Sequence, residues 1–217
     1  MELLKEERKQ LVEFGKKLID TGLTVGSGGN ISIFDRESGY MAITPSGLEY
    51  YSLSEEDIVI MDLDGNVVEG TLKPSSEYQM HSLVYKKRSD VNAMVHTHAL
   101  YSTTVSCLRE DLPAVDYLVA HGGGKDVRCA EYAPYGTKEL AENALVAMEG
   151  RKAVLLANHG INVVGGNIKD AFAVTEQLEF CARLYWQSKA VGNPVILSDE
   201  EMDSMVTRFV TYGQQEA

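Results

Sequence analysis

Val91-Asn92-Ala93-Met94-Val95-His96-Thr97-His98 is a largely apolar run that ends in two histidines separated by one threonine. Its length and its branched apolar residues are typical of a strand, and we predict one over residues 91–97. Residues two apart on a strand point to the same face, roughly 6.5–7 Å from each other. The His96 and His98 imidazoles could therefore share one metal ion.

A second apolar run, Ala153-Val154-Leu155-Leu156-Ala157-Asn158, ends at His159-Gly160, and Glu77 lies where a helix is predicted to begin. Three neutral imidazoles and one carboxylate would make a zinc site with room for a substrate. These hard nitrogen and oxygen ligands favour zinc, with manganese, cobalt or iron as alternatives. The competing interpretation is three unrelated core histidines, and the His-x-His pattern on a strand argues against it.

The 217 residues fit one large α/β domain over residues 1–217, and a hydrophobic content of 44% is ordinary for a globular protein. The formal net charge of −12 argues against nucleic acid or an anionic membrane as the main partner. No window approaches about 18 consecutive apolar residues, so no transmembrane helix is predicted. Three cysteines without a Cys-x-x-Cys pair indicate reduced thiols in a cytoplasmic protein.

Predicted strands and helices alternate along the chain, which indicates helices on both faces of one sheet. Several short neighbouring strands resemble hairpins, one turning at Asp64-Gly65-Asn66, so the sheet should be mixed. We predict helices over residues 3–21, 76–88, 99–107, 137–149, 170–190 and 199–212. We predict strands over residues 31–34, 40–43, 58–62, 67–68, 91–97, 153–158 and 161–164, with two or more short strands between residues 114 and 130.

Three loops have the composition of a phosphate site. Lys73-Pro74-Ser75-Ser76 precedes Glu77, and a helix N-terminus with serine hydroxyls and free amides binds phosphate. The simpler alternative is a capped helix without a ligand. Gly28-Gly29-Asn30 and Ser46-Gly47 could complete a cradle without arginine, because glycine lets the backbone approach a ligand closely.

Two other histidine motifs have weaker functional interpretations. His81 lies four residues after Glu77 on the same predicted helical face, and we interpret it as a structural partner. His121-Gly122-Gly123-Gly124 could mimic a nucleotide-binding loop, but a mobile turn is its better interpretation.

Several segments, taken in order, match the motifs of one family. They are Gly29-Asn30-Ile31-Ser32, Thr44-Pro45-Ser46-Gly47, Pro74-Ser75-Ser76-Glu77 with His81, His96-Thr97-His98-Ala99, His159-Gly160, Leu197-Ser198-Asp199-Glu200-Glu201 and Thr211-Tyr212-Gly213. On these motifs, which span nearly the whole chain, the protein resembles the class II aldolase and epimerase family. The resemblance implies a three-layer α/β/α fold around a mixed, mostly antiparallel sheet, and a homotetramer with active sites between subunits.

The resemblance also implies roles for individual residues. The implied ligands of one zinc ion per subunit are His96, His98, His159 and, in the resting enzyme, Glu77. The implied phosphate-binding residues are Gly29, Asn30, Ser46, Gly47, Ser75 and Ser76. The implied catalytic residues are Glu77 and two tyrosines that would reach the site of a neighbouring subunit, Tyr117 and Tyr212.

The implied activity is reversible cleavage of a ketose 1-phosphate. L-Fuculose 1-phosphate is the expected substrate, and its products would be dihydroxyacetone phosphate and L-lactaldehyde. Zinc would act as a Lewis acid for the enediolate charge that forms as the carbon–carbon bond breaks. Glu77, displaced from zinc by substrate, would carry the proton at C3 of dihydroxyacetone phosphate, and Tyr117 would protonate the aldehyde oxygen in the synthesis direction.

Other activities stay open at this stage. A pentulose-5-phosphate 4-epimerase would use related chemistry, but that branch tends to have aspartate at the position of Glu77. An aldolase for another deoxy-ketose phosphate and, more distantly, a methylthioribulose phosphate dehydratase fit the same motifs. A scaffold module is the non-enzyme alternative, although such relatives lack the metal histidines. The chain departs from the fuculose-cleaving members of the family at His121, where they have a small residue, and this departure suggests altered aldehyde selectivity. Lys73 is an extra charge near the phosphate loops.

Overall fold

One eight-stranded sheet forms the centre of the protein in the computed structural model, which describes residues 3–209. Its strand order is β4-β3-β2-β1-β5-β10-β9-β8, and every neighbouring pair is antiparallel except β8 with β9. A separate pair, β6 and β7, lies outside this sheet. The strands are β1 (Asn30–Asp35), β2 (Tyr40–Ile43), β3 (Val59–Asp62), β4 (Val67–Glu69), β5 (Ala93–Thr97), β6 (Leu112–Pro113), β7 (Asp126–Val127), β8 (Cys129–Ala130), β9 (Ala153–Leu156) and β10 (Gly160–Gly165).

Helices cover both faces of the sheet. The helices are α1 (Lys5–Asp20), α2 (Tyr78–Lys87), α3 (Leu100–Leu108), α4 (Lys138–Ala147), α5 (Ile168–Val191) and α6 (Asp199–Phe209). Helices α2 and α4 pack on one face, and α1, α3 and α5 pack on the other. The predicted α/β fold with a mixed, mostly antiparallel sheet is confirmed. No helix in residues 3–209 is long and apolar enough to cross a membrane.

Strand β5 occupies the middle of the sheet between β1 and β10, and all five of its residues are buried. Ala93 and Val95 pack toward α1 and α5, whereas Met94 packs toward α2. Alternation along the strand therefore directs His96 to the α2 face. The apolar run that precedes His96 thus anchors a metal-binding candidate at the end of a central strand.

The segment between residues 114 and 130 contains the two short strands β7 and β8, as the sequence predicts. It also contains a 3-10 helix, Tyr117–Gly122, which the sequence analysis did not predict. The Asp116 carboxylate accepts a hydrogen bond from the Leu118 amide at 2.9 Å and so caps this helix. His121 and Gly122 are the last two residues of this 3-10 helix, and Gly123 and Gly124 follow it.

Candidate metal centre and substrate cavity

Three histidine rings converge at one end of the sheet, as the sequence predicts. The ring centroid of His159 lies 4.8 Å from that of His96 and 5.1 Å from that of His98. The Nε2 atoms of His96 and His98 are 3.2 Å apart. One candidate ligand atom from each ring lies within 4.8 Å of the other two. His98 follows directly after β5, and its ring meets the His96 ring at the end of this strand.

A tight turn between β9 and β10 brings His159 to this place. Asn158 has a left-handed backbone with φ of 55°, and the His159 amide donates to the Leu156 carbonyl at 3.0 Å. Gly160 follows, and a Cβ atom there would lie 2.3 Å from the Thr97 carbonyl oxygen. Only glycine lets β10 begin this close to β5, which gives the His-Gly dipeptide a physical explanation.

The donor set fits a divalent metal ion. His96 Nδ1 lies 3.2 Å from the Ile161 carbonyl, and a ring that donates this N–H presents its Nε2 lone pair to a metal ion. The His96 and His98 Nε2 atoms are 3.2 Å apart, and two ligands of one tetrahedral zinc ion lie about 3.3 Å apart for bonds of 2.0–2.1 Å. The spacing of these ring nitrogens therefore matches a single bound cation.

Glu77 completes this shell. Its Oε2 lies 3.1 Å from His96 Nε2, and its Oε1 lies 3.6 Å from His159 Nε2. Within residues 3–209, Glu77 Oε1 is buried without a hydrogen-bond partner. A buried carboxylate oxygen in that condition fits a metal ligand.

The charges at this centre are strongly coupled. Burial alone raises the pKa of Glu77, but the neighbouring His96 and His159 rings and the Asn30 amide outweigh it and hold the pKa well below its usual range. Burial, together with repulsion from His96, lowers the pKa of both His98 and His159 to about 4. Glu77 is consequently ionised at neutral pH, and His98 and His159 are neutral imidazoles, the form that binds metal.

A cavity of about 400 Å³ opens beside the metal centre. Glu77, His98 and His159 line one part of it, and all six residues predicted to bind phosphate line the rest. Those six are Gly29, Asn30, Ser46, Gly47, Ser75 and Ser76. No lysine or arginine is among the lining residues that the structure describes, which agrees with a cradle of amides and hydroxyls. Whether phosphate binds there stays a prediction.

Main-chain hydrogen bonds join two of these loops. The Ser46 amide donates to the Lys73 carbonyl at 3.0 Å, and the Ser75 amide donates to the Thr44 carbonyl at 3.1 Å. Ser75 Oγ accepts from the Glu77 amide at 3.2 Å, so α2 begins at Tyr78, two residues later than predicted. Lys73 is exposed and contributes its main chain, not its charge, to this arrangement.

Glu77 is hydrogen-bonded to a network of buried polar side chains. The Asn30 Nδ2 atom donates to Glu77 Oε2 at 3.0 Å, and Asn30 Oδ1 lies 2.5 Å from His81 Nε2. His81 is fully buried, and burial lowers its pKa to about 3. These contacts agree with the interpretation of His81 as a structural partner, because its buried ring bonds Asn30, whose amide in turn bonds Glu77.

Two tyrosines of the cavity had no distinguishing sequence pattern. Tyr132 and Tyr135 lie in the loop between β8 and α4 and line the cavity. Arg109 stands over the Tyr132 ring at 5.5 Å, and its Nε donates to Asn158 Oδ1 at 2.8 Å. In the sequence, Tyr132 and Tyr135 are distinguished only by the proline that lies between them, a pattern that is common at protein surfaces.

The other tyrosine candidates lie elsewhere. Tyr117 is about half exposed, stacks on Phe209 with ring centroids 6.1 Å apart, and is not among the residues lining the cavity of its own subunit. His121 packs against the same Phe209 ring at 4.2 Å. Tyr212 lies outside the described residues. The contribution of both tyrosines to a neighbouring site stays a prediction.

Comparison with known proteins agrees with this geometry. The family model described as "Class II Aldolase and Adducin N-terminal domain" matches residues 9–186. The chain belongs to the class II aldolase and adducin family. It is a metal-dependent ketose-phosphate aldolase, an aldehyde-lyase with a three-histidine metal site.

Two curated relatives and one solved structure show the similarity. The 5-deoxy-D-ribulose 1-phosphate aldolase of Bacillus thuringiensis serovar kurstaki is 54% identical over 98% of this chain and 100% of its own length. The 5-methylthioribulose-1-phosphate/5-deoxyribulose-1-phosphate aldolase of Rhodospirillum rubrum is 42% identical over 95% of this chain and 92% of its own. A structure titled L-fuculose 1-phosphate aldolase has 54% identity and a TM-score of 0.92, covering 94% of this chain and 96% of its own.

We expect Gly29→Ala to damage the site far more than Gly47→Ala. Both glycines have a left-handed φ, of 73° and 72°, so alanine costs about 1–2 kcal/mol in backbone strain at either position. At Gly29 the new Cβ would also lie 2.4 Å from the His96 carbonyl oxygen, whereas nothing lies within 4 Å of it at Gly47. Urea unfolding should give a loss above roughly 3 kcal/mol for Gly29→Ala, with weaker zinc binding. Equal losses for the two variants would contradict this explanation.

Acid should destabilise the metal-free protein partly through His81. Unfolding lets this histidine take up a proton that the folded core excludes, so its contribution is present above pH 6.5 and is lost as pH falls toward 3. In chelator, the unfolding free energy should fall more steeply between pH 6.5 and 4.5 for the wild type than for His81→Gln. The difference in slope can reach about 1.4 kcal/mol per pH unit. Equal pH dependence of the unfolding free energy in the wild type and His81→Gln would show that His81 accepts a proton in the folded state.

Proposed function

We propose that this aldolase cleaves a 5-deoxypentulose 1-phosphate, with 5-deoxy-D-ribulose 1-phosphate as the leading substrate. The C3–C4 bond breaks, the C4 hydroxyl loses its proton to become an aldehyde, and C3 gains a proton. The products are dihydroxyacetone phosphate and acetaldehyde. The observation that carries the proposal is a cluster of three histidines and Glu77 opening into a cavity lined by amides and hydroxyls.

The choice of substrate rests on the relatives. The expectation of L-fuculose 1-phosphate has less support than its alternative, an aldolase for another deoxy-ketose phosphate. Two relatives, 54% and 42% identical, carry 5-deoxyribulose 1-phosphate in their names. L-Fuculose 1-phosphate remains the second candidate because the solved structure with 54% identity is titled as its aldolase.

The phosphate end of the substrate would lie against the three joined loops. Ser46 and Ser76 are exposed to the cavity, and Gly29 and Gly47 let the main chain approach an anion. Asn30 would take part less directly than the resemblance implies, because its side chain is already bonded to Glu77 and His81.

The reacting end would lie between Glu77 and the histidines. We propose zinc as the cation held by His96, His98 and His159, where it would supply Lewis-acid stabilisation of the charge that develops on carbon–carbon cleavage. Glu77, ionised and facing the cavity, would carry the proton at C3. No lysine lines the described cavity, so a Schiff base is not part of the proposal.

The remaining groups would come from a second subunit. We propose a homotetramer in which Tyr117 and Tyr212 of one chain reach the cavity of another, with Tyr117 protonating the aldehyde oxygen during synthesis. The exposed position of Tyr117 supports this role. The three free cysteines fit a cytoplasmic location, where thiols stay reduced.

A panel of substrates tests the proposed reaction. The purified protein should release dihydroxyacetone phosphate from 5-deoxy-D-ribulose 1-phosphate, with kcat/KM at least ten-fold higher than for L-fuculose 1-phosphate. A chelator should abolish release and added Zn²⁺ should restore it. Pentulose 5-phosphates serve as the epimerase test. Activity on these alone, without triose phosphate release, would overturn the aldolase proposal.

The role of Glu77 is tested by Glu77→Gln. Glutamine keeps the shape of the side chain but cannot accept the C3 proton, so deuterium exchange at C3 of dihydroxyacetone phosphate should fall by about 10²-fold or more. Zinc should remain bound, because three histidine ligands persist. Glu142→Gln, a surface substitution in an exposed ion pair, is the matched control. Normal exchange in the zinc-loaded Glu77 variant would rule out this role.

A further inference from the structure

A continuous line of five hydrogen-bonded side chains runs from the metal centre into the core. From Glu77 it passes through Asn30, His81, Ser32 and Tyr85, and each of these residues is 6% exposed or less. The Ser32 Oγ lies 2.6 Å from His81 Nδ1 and 2.6 Å from the Tyr85 hydroxyl. The last three residues of the line do not line the cavity.

The line alternates between two elements whose spacings match. Asn30 and Ser32 are two apart on β1 and point to the same face. Glu77 immediately precedes α2, and His81 and Tyr85 follow at intervals of four residues. The three side chains therefore lie on one helical face. The side chains of the strand fit between those of the helix, which gives Asn30, His81 and Ser32 a partner on each side.

The chemistry of the groups allows one direction of donation only. The ionised Glu77 carboxylate accepts, so the Asn30 amide nitrogen must face it and the amide oxygen must face His81. His81 Nε2 must then carry the hydrogen, and Nδ1 accepts from Ser32.

The same logic continues to the end of the line. The Ser32 hydroxyl donates its only hydrogen to His81 Nδ1, so the Tyr85 hydroxyl must donate. Its hydrogen can go to Ser32 Oγ at 2.6 Å or to the Ser32 carbonyl at 3.1 Å. The hydrogens that Ser32, His81 and Asn30 donate along the line therefore all point toward Glu77.

We propose that Ser32, His81 and Tyr85 are positioning residues that hold the Asn30 amide in one orientation, and through it hold the Glu77 carboxylate at the metal centre. The Glu77 carboxylate accepts from the nitrogen end of the Asn30 amide, and a His81 ring that donates at Nε2 holds the oxygen end, so the amide is fixed at both ends. Reversed, the amide oxygen would face Glu77 Oε2 and repel it.

Burial makes the arrangement costly unless it is complete. A buried polar group without a partner loses the hydrogen bonds that water would supply, and each interruption leaves such a group inside the core. Apolar residues would fill the same space without this risk. The line is thus better explained by control of Glu77 than by packing.

The test compares His81→Gln with His81→Leu. Glutamine can accept from Ser32 and donate to Asn30 in the same sense as the imidazole, whereas leucine fills the space and does neither. The inference rests on the proposed catalytic role of Glu77, so activity is read on whichever ketose phosphate the protein cleaves. We expect His81→Leu to lower kcat at least 30-fold with KM within three-fold, and His81→Gln to recover most of kcat.

Zinc affinity supplies a readout that needs no substrate. Competition with a chromophoric chelator should show binding weakened about 10–100-fold in His81→Leu and nearly unchanged in His81→Gln. Ser82→Ala is the matched control, since Ser82 is a buried hydroxyl of the same helix outside the line, and it should leave zinc affinity and kcat unchanged. Wild-type zinc affinity and kcat in a folded His81→Leu would overturn the proposal.

The tautomer of His81 is directly observable, even where His81→Leu does not fold. The chain has five histidines, so long-range ¹H–¹⁵N spectra of the wild-type protein can be assigned by single substitutions. The proposal requires a neutral His81 ring protonated at Nε2. A ring protonated at Nδ1 would overturn it, whatever substrate the enzyme uses.

Discussion

A buried carboxylate surrounded by imidazoles is the interaction on which this structure depends. Glu77 sits at the start of α2, yet its oxygens face histidines from β5 and from the turn before β10. Burial disfavours its charge, and the rings together with the Asn30 amide more than offset that cost. The helix, the central strand and the turn must all be in place for the charge to be stable.

Several backbone features serve this convergence. β1 and β10 flank β5, and the two flanking strands come close enough to it that Gly29 and Gly160 have no room for a Cβ atom. The turn at Asn158 adopts a left-handed conformation so that His159 can face the other rings. Joined loops at residues 44–47 and 73–76 then set a cavity wall beside the charged centre. The metal centre and the cavity therefore lie at the same end of the central strands.

The hydrogen-bonded line from Glu77 to Tyr85 forms a polar layer inside the core. One face of the sheet carries Asn30, Ser32 and His96 where apolar residues would otherwise pack against α2. Each of these three side chains has a hydrogen-bond partner within the described residues, so its burial is compensated. In the proposed mechanism, the same contacts that fill this layer also restrict the orientation of the Glu77 carboxylate.

The amino-acid sequence was enough to predict the three converging histidines and the sheet-and-helix class, because periodic apolar runs predict buried elements and His-x-His marks one strand end. It did not predict the start of α2, which follows a turn in which the Glu77 amide donates to Ser75 Oγ. It also did not predict the 3-10 helix at residues 117–122, which Asp116 caps. Only the tertiary structure decided that Tyr132 and Tyr135 enter the cavity and that His81 contacts Asn30. Those contacts join segments far apart in the chain, and no local pattern records which distant side chain a buried polar group will meet.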